Sequence, residues 1–289
     1  LEVGMGGRLD AVNIVPNDLA LRTSIGLDHT DWLGDDLEQI AREKGGVIKQ
    51  GALAVLADFD SPGSLVECAH QQQADFVRAG VDYGLLSEQA KVFSSRHDRL
   101  CRFDGYPLPD APEHVLNNTM GVIAAVAMLN QRIPISSAQL KTGLSRQVLP
   151  GRLELLAGEP RLLMDVSHNE ASVMALLKFI DSLEIKGKIH AVFGALGDKD
   201  YGQAYAALKV RIDHWYLCSL EGERGQQAER LATRLFGDAE KSDQAANASL
   251  HESPQAAFVA AGSTAGKHDL VVIFGSFHVV GAIISLLKK

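Results

Sequence analysis

Residues Leu149 to Asn169 read L-P-G-R-L-E-L-L-A-G-E-P-R-L-L-M-D-V-S-H-N. Leu149-Pro150-Gly151 is a break where a helical region ends. Arg161 to Val166 is an apolar run of buried-strand length, and from Glu170 to Leu183 apolar residues recur at helical spacing. Asn169 is a good N-cap for that helix, and Glu170 suits the positive end of its dipole. Asp165 and His168 therefore fall at the carboxyl end of a strand, beside a helix N-terminus, where ligands bind in open α/β sheets. Capping alone accounts for Asn169. Asp165, His168 and the isolated Arg152 together point to a site.

The same alternation continues to the end of the chain. Strand Ile189–Phe193 leads through G-A-L-G-D-K-D into helix Tyr201–Lys209, and strand His214–Ser219 into helix Gln226–Leu235. Helix Ser253–Ala261 precedes strand Leu270–Phe274, then G-S-F-H and helix Val279–Lys288. Strands alternating with helices predict a parallel, doubly wound sheet. D-V-S-H-N, G-A-L-G-D-K-D and G-S-F-H would line one edge of it.

The length of 289 residues allows two domains, and 46% hydrophobic with 22% charged residues describes a globular chain. A net charge of −8 and a pI near 5.7 argue against a general nucleic-acid or membrane-surface binder. The three cysteines, Cys68, Cys101 and Cys218, lack metal spacing and read as reduced thiols of a cytosolic protein. No apolar run reaches transmembrane length.

In the first half, Glu2 to Asp10 is E-V-G-M-G-G-R-L-D, a glycine-rich turn. Leu1-Glu2-Val3-Gly4 reads as the end of a strand. A second strand, R-T-S-I-G-L, ends in Asp28-His29-Thr30. Glu2 and His29 at neighbouring strand ends would suit one magnesium or manganese ion rather than structural zinc. Leu33 to Lys49 follows as a helix capped by Asp31 or Asp35, with Lys44 before Gly45-Gly46 as an ordinary helix-end charge. Ala52–Ala57 is a buried strand, Ser61–Gly80 a helix with Cys68 and Phe76 in the core, and Val81–Pro109 a set of small strands. Val115–Leu129 is an apolar helix whose Asn117 and Asn118 either cap it or read an adenine edge. Ser136–Leu144 is a short helix leading to the break.

Seven ordered motifs carry a resemblance: L-E-V-G-M-G-G-R-L-D-A-V-N, L-D-H-T-D-W-L-G, I-A-R-E-K-G-G-V-I-K, L-P-G-R, M-D-V-S-H-N, F-G-A-L-G-D-K-D and F-G-S-F-H. The series resembles the bifunctional dihydrofolate synthase/folylpolyglutamate synthase family, a branch of the Mur-type amide ligases. The resemblance implies an α/β fold. Residues 1–148 would be the rest of a central ATP-binding domain, and residues 149–289 a doubly wound C-terminal glutamate-ligase domain. Glu2 and His29 match magnesium ligands, and Lys44 matches a lysine that is carbamylated and binds a second magnesium. Asp10 and Ala11 match pterin contacts, and Asn118 matches an adenine-side asparagine. Arg152 and Asp165 match residues brought to ATP. His168, Lys199, Ser276 and His278 match the polar edge facing the acyl phosphate and incoming glutamate. Ser167 and Glu170 stand where the family usually has alanine and proline.

The implied reaction is ATP-dependent ligation of L-glutamate to dihydropteroate, giving dihydrofolate, and to the glutamate tail of reduced folates. ATP turns a carboxylate into an acyl phosphate, and the glutamate amine displaces phosphate. Such an enzyme belongs to folate and one-carbon metabolism in the cytoplasm, and relatives are commonly monomers. The break at Leu149–Arg152 would be a hinge. The family's phosphate-binding G-x-x-x-x-G-K-S loop is absent. The sequence is therefore expected to be part of a longer protein, inactive alone, poorly ordered in its first half and folded from about Arg152 onward. Another Mur-type amino-acid ligase, or a binding module, stays open as an alternative.

Overall fold

The computed structural model describes residues 1–27, 30–87, 89–145, 149–197, 202–237 and 247–288. The chain divides into two compact units, residues 1–147 and 148–289.

In the first unit, β1 (Leu19–Arg22), β2 (Leu53–Leu56) and β3 (Asp75–Arg78) form a parallel sheet in that order. Alternation along β2 divides its side chains between two cores. Val55, with Val77 of β3, meets Met120, Ile123 and Ala124 of α4 (Glu113–Leu129). Ala54 and Leu56 meet Ala41 of α2 (Leu37–Gly45) and Leu65 and Ala69 of α3 (Gly63–Gln71). A small antiparallel meander follows β3, made of β4 (Tyr83–Leu85), β5 (Val92–Ser95) and β6 (Tyr106–Pro107). The short α1 (Thr30–Leu33) precedes α2, and α5 (Ser137–Ser145) ends the unit. Helices cover both faces of its sheet, while Leu1, Leu9, Ile14 and Trp32 stay exposed.

Local structure departs from the sequence expectations in four places here. Residues 1–3 form no strand, so Glu2 sits in an irregular segment. The second strand is Leu19–Arg22 rather than R-T-S-I-G-L, because the Asp58 carboxylate takes the Ile25 N–H at 2.9 Å and draws the chain off the ladder. The helix expected over Leu33–Lys49 breaks at Gly34, whose φ is +93°, and Asp36 is the N-cap of α2 without a side-chain cap bond. The helix expected over Ser61–Gly80 stops at Gln71. Gln73 has φ +49°, its N–H reaches His70 O at 2.9 Å and the Ala74 N–H reaches Ala69 O at 3.0 Å. That is a Schellman ending, with glutamine where glycine is usual, and β3 with Phe76 follows it.

The second unit is one sheet in the order β11-β10-β9-β12-β8-β7. Five strands are parallel: β8 (Arg161–Met164), β9 (Ile189–Phe193), β10 (His214–Cys218), β11 (Ala248–His251) and β12 (Leu270–Phe274). β7 (Glu154–Leu156) is an antiparallel edge. One face, with Leu270, Val272 and Phe274, packs on α6 (Glu170–Ser182), α7 (Gly202–Arg211) and α8 (Ala228–Phe236). The other, with Val271 and Ile273, packs on α9 (Pro254–Thr264) and α10 (Phe277–Leu287). This is the doubly wound sheet the alternation predicts. The last strand, β12, lies between β9 and β8, so α10 leaves on the opposite face from α6 and α7. The carboxyl ends of β8, β9 and β12 thus meet at the topological switch point. Among the described residues no helix is long and apolar enough to cross a membrane.

Candidate functional site

At the switch point the D-V-S-H-N turn after β8 meets the G-S-F-H turn after β12. The Gly275 N–H donates to Ser167 O at 3.0 Å. Gly275 has φ +109°, and a Cβ there would lie 2.5 Å from Gly194 O and 2.6 Å from the Phe193 ring. Only glycine brings the ends of β9 and β12 this close.

Asp165 is 6% exposed. Its Oδ2 accepts the Leu153 N–H at 2.8 Å and its Oδ1 the Ser167 N–H at 2.9 Å. The carboxylate therefore brackets two turns, the one that carries Arg152 and its own. Gly151 supports the same turn: its φ is +70°, and a Cβ would meet Val280 Cγ1 of α10 at 2.6 Å. The Val166 N–H closes the turn onto Gly151 O at 2.9 Å. The Arg152 guanidinium lies over the Phe277 ring, 5.3 Å from its centroid. The His168 ring is 6.1 Å from the same ring. Its Nδ1 donates to Val166 O at 2.9 Å, so in the neutral imidazole Nε2 carries the lone pair.

Asn169 caps α6 through a capping box with Ser172, as its place in the sequence predicts. Ser276 is 3% exposed and caps α10, its Oγ accepting the Val279 N–H at 3.2 Å. His278, two residues further, is exposed. Lys199 lies outside the described residues, as do residues 146–148 beside the expected hinge. Phe277 carries no signal of its own in the sequence, and Ser167 stands out there only as a departure from the family pattern. Phe277 is 58% exposed, and the buried Ser167 Oγ has no hydrogen-bond partner among the described residues. Both stand inside motifs already singled out, but only the fold reveals their surroundings.

In the first unit the glycine-rich segment packs against the end of α2. A Cβ on Gly7 would meet Glu43 O at 2.8 Å and Lys44 O at 2.9 Å, and Arg8 pairs with Glu43 at 2.9 Å. Asp10 folds the segment by accepting the N–H groups of Val12 at 2.9 Å, Gly4 at 3.0 Å and Met5 at 3.1 Å. These bonds, Val12 first and Met5 next, hold its carboxyl below the usual range against the opposing effect of burial. Ala11 is the exposed first residue of a 3-10 turn, Ala11–Ile14. Lys44 is half-buried in the last turn of α2. Asn118 is exposed in the second turn of α4, whose N-cap is Pro112, so the capping alternative for Asn117 and Asn118 does not hold. α4 lies on the opposite sheet face from α2, which separates Asn118 from Lys44.

Glu2 is exposed, and its expected metal partner His29 lies outside the described residues. Among the described residues no three His, Cys, Asp or Glu side chains converge to hold a metal ion. The described donors alone do not make a metal site.

The model of the Mur ligase glutamate ligase domain matches residues 151–277. The dihydrofolate synthase/folylpolyglutamate synthase of Escherichia coli is 35% identical over 99% of this chain. The chain belongs to the dihydrofolate synthase/folylpolyglutamate synthase family. It spans just under two thirds of that relative's length, 64%. Among solved structures, E. coli FolC in complex with DHPP and ADP superimposes with a TM-score of 0.84 at 33% identity, covering 99% of this chain and 65% of that one. A bifunctional folylpolyglutamate synthase/dihydrofolate synthase with Mn, AMPPNP and L-glutamate bound gives a TM-score of 0.82 at 35% identity, covering 99% and 66%. The family's fold is thus the mixed α/β architecture described above.

Proposed function

We propose that this family member ligates L-glutamate to dihydropteroate, and to the glutamate tail of folates, at the expense of ATP. The observation that carries this reading is the cluster of Arg152, Asp165 and His168 at the switch point of a sheet shared with related structures that hold ADP, DHPP and L-glutamate. A carboxylate is a poor electrophile, so ATP first converts it to an acyl phosphate. The glutamate amine then adds to the carbonyl, and phosphate leaves with one of the original carboxylate oxygens.

In this reading Arg152 meets the charge that spreads over the transferring phosphoryl oxygens, mostly by positioning and electrostatics. Asp165 holds the Arg152 turn in place. His168 offers Nε2 toward the incoming amine, and Lys199, Ser276 and His278 are assigned to the acyl phosphate and glutamate. Asp10 and Ala11 border the pterin, and Asn118 the adenine. Two magnesium ions are proposed, with Glu2, His29 and a carbamylated Lys44 as ligands. Bound there, the cations would screen phosphate charge. Residues 1–148 serve in ATP binding and residues 149–289 as the glutamate-ligase domain, in a cytoplasmic monomer that takes no nucleic acid.

The test is direct. Full-length protein is incubated with ATP, magnesium, dihydropteroate and L-glutamate, and the pterin product is analysed by mass spectrometry. A product heavier by one glutamyl residue is expected. ATP-dependent consumption of another acid, with dihydropteroate left untouched, would move the protein to a different Mur-type ligation.

A further inference from the structure

Arg152 and Phe277 make an unusual pair for a site that handles anions. Arg152 is exposed and long, and an exposed arginine surrenders about 2 kcal/mol of rotamer freedom when held in one place. Arginines are commonly held by a carboxylate, which uses two of the guanidinium donors and cancels the charge. Here the nearest carboxylate in sequence, Glu154, accepts the Gly151 N–H at 2.7 Å instead. Asp165 is spent on Leu153 and Ser167. Among the described residues, the contact the structure gives the Arg152 head is the face of Phe277, at 5.3 Å. An aromatic face attracts the cation through its quadrupole and takes none of its N–H groups.

Phe277 is well placed to do this. It is the first residue of α10, directly after the buried cap Ser276, and Val279 and Val280 anchor that turn in the core. The ring itself is 58% exposed, so it adds little to the core. The same ring is 6.1 Å from His168, which puts the arginine and the imidazole beside one support.

We propose that Phe277 is a positioning residue that orients Arg152 while leaving its charge and donors available to an anionic phosphoryl group. The inference rests on the ligase reading for the identity of that group, but the contact is testable without it. In NMR spectra of the full-length protein, the Arg152 Hδ resonances should carry a ring-current shift that F277L abolishes and F277Y keeps. In ligation assays F277L should lower kcat roughly two- to fivefold, the effect of an exposed cation–π contact, with KM for glutamate unchanged. F277Y should recover most of that loss, and F277L should add nothing in an R152A background. A ring-current shift that survives F277L would overturn the proposal, as would unchanged kcat in F277L beside an active wild type. So would a full additional loss on R152A. If the wild type ligates nothing, the ligase reading fails, and the NMR arm still decides whether Phe277 orients Arg152.

Discussion

The carboxylate of Asp165 accepts the backbone N–H of Leu153 at 2.8 Å, so the residue that ends β8 also fixes the turn bearing Arg152. Its other oxygen takes the Ser167 N–H at 2.9 Å, leaving Asp165 with structural work that Arg152 does not share. D165A should therefore lose both stability and turnover. Each buried donor left without its acceptor costs about 1–3 kcal/mol. R152A, at an exposed position, should keep the wild-type Tm while turnover falls on the order of 10²-fold or more. Calorimetry and ligation assays on both variants separate the two roles. An R152A enzyme with wild-type turnover would remove Arg152 from the chemistry.

Gly275 joins β12 to α10 with φ +109° and leaves no room for a Cβ between Gly194 O and the Phe193 ring. G275A combines backbone strain with a clash against main chain, which cannot move aside. Unfolding in urea should show a loss of about 3 kcal/mol or more. A loss below about 1 kcal/mol, the ordinary cost of an alanine, would mean the strand ends are not as tightly joined.

D10A should release the glycine-rich segment, because three backbone N–H groups lose one acceptor. Amide hydrogen exchange at Gly4, Met5 and Val12 should accelerate, with KM for the pterin rising. The carboxyl is held low in the fold, so its contribution is present above the unfolded value of about 3.9 and is lost as pH falls through that range. Unaltered exchange in D10A would assign the segment's order to Gly7 and Arg8 instead.

Away from the site, His214 and His251 flank Tyr216 in the second unit, with ring centroids 4.6 and 5.8 Å from it. Burial first, then His190, His251 and Lys188, push the His214 pKa down, and burial does the same for His251. A histidine whose folded pKa is depressed favours the neutral form. Stability is then full above the unfolded value of about 6.5 and declines as pH falls below it. Urea unfolding between pH 7.5 and 5 should show that decline, and H214Q with H251Q together should flatten it. A wild-type profile already flat across that interval would contradict the shifts.

The strands that were legible in the sequence are those with no exposed face. β9 and β12 are buried at every residue and read as unbroken apolar runs. The edge strands β7 and β11 were missed: each is short and only partly buried, and β7 runs antiparallel. The end of α3 was hidden because Gln73 occupies a position that sequence reasoning assigns to glycine. The polar turns of the site were readable because parallel strands place successive carboxyl ends on one edge. Which ends adjoin was not, since β12 enters the sheet between two earlier strands. For the same reason Phe277 gave no signal: its partner Arg152 precedes the whole sheet in sequence and meets it only through the turn that Asp165 and Gly151 fix.

In the proposed ligation a carboxylate is activated by phosphoryl transfer from ATP, and the amine of glutamate then attacks its carbonyl and displaces phosphate. Dihydropteroate labelled with ¹⁸O in its carboxylate tests it most directly, using full-length protein, ATP, magnesium and L-glutamate. One ¹⁸O should appear in the inorganic phosphate for each amide bond formed. Amide formation that leaves the phosphate unlabelled would contradict the acyl-phosphate mechanism and, with it, the roles given to Arg152 and Asp165.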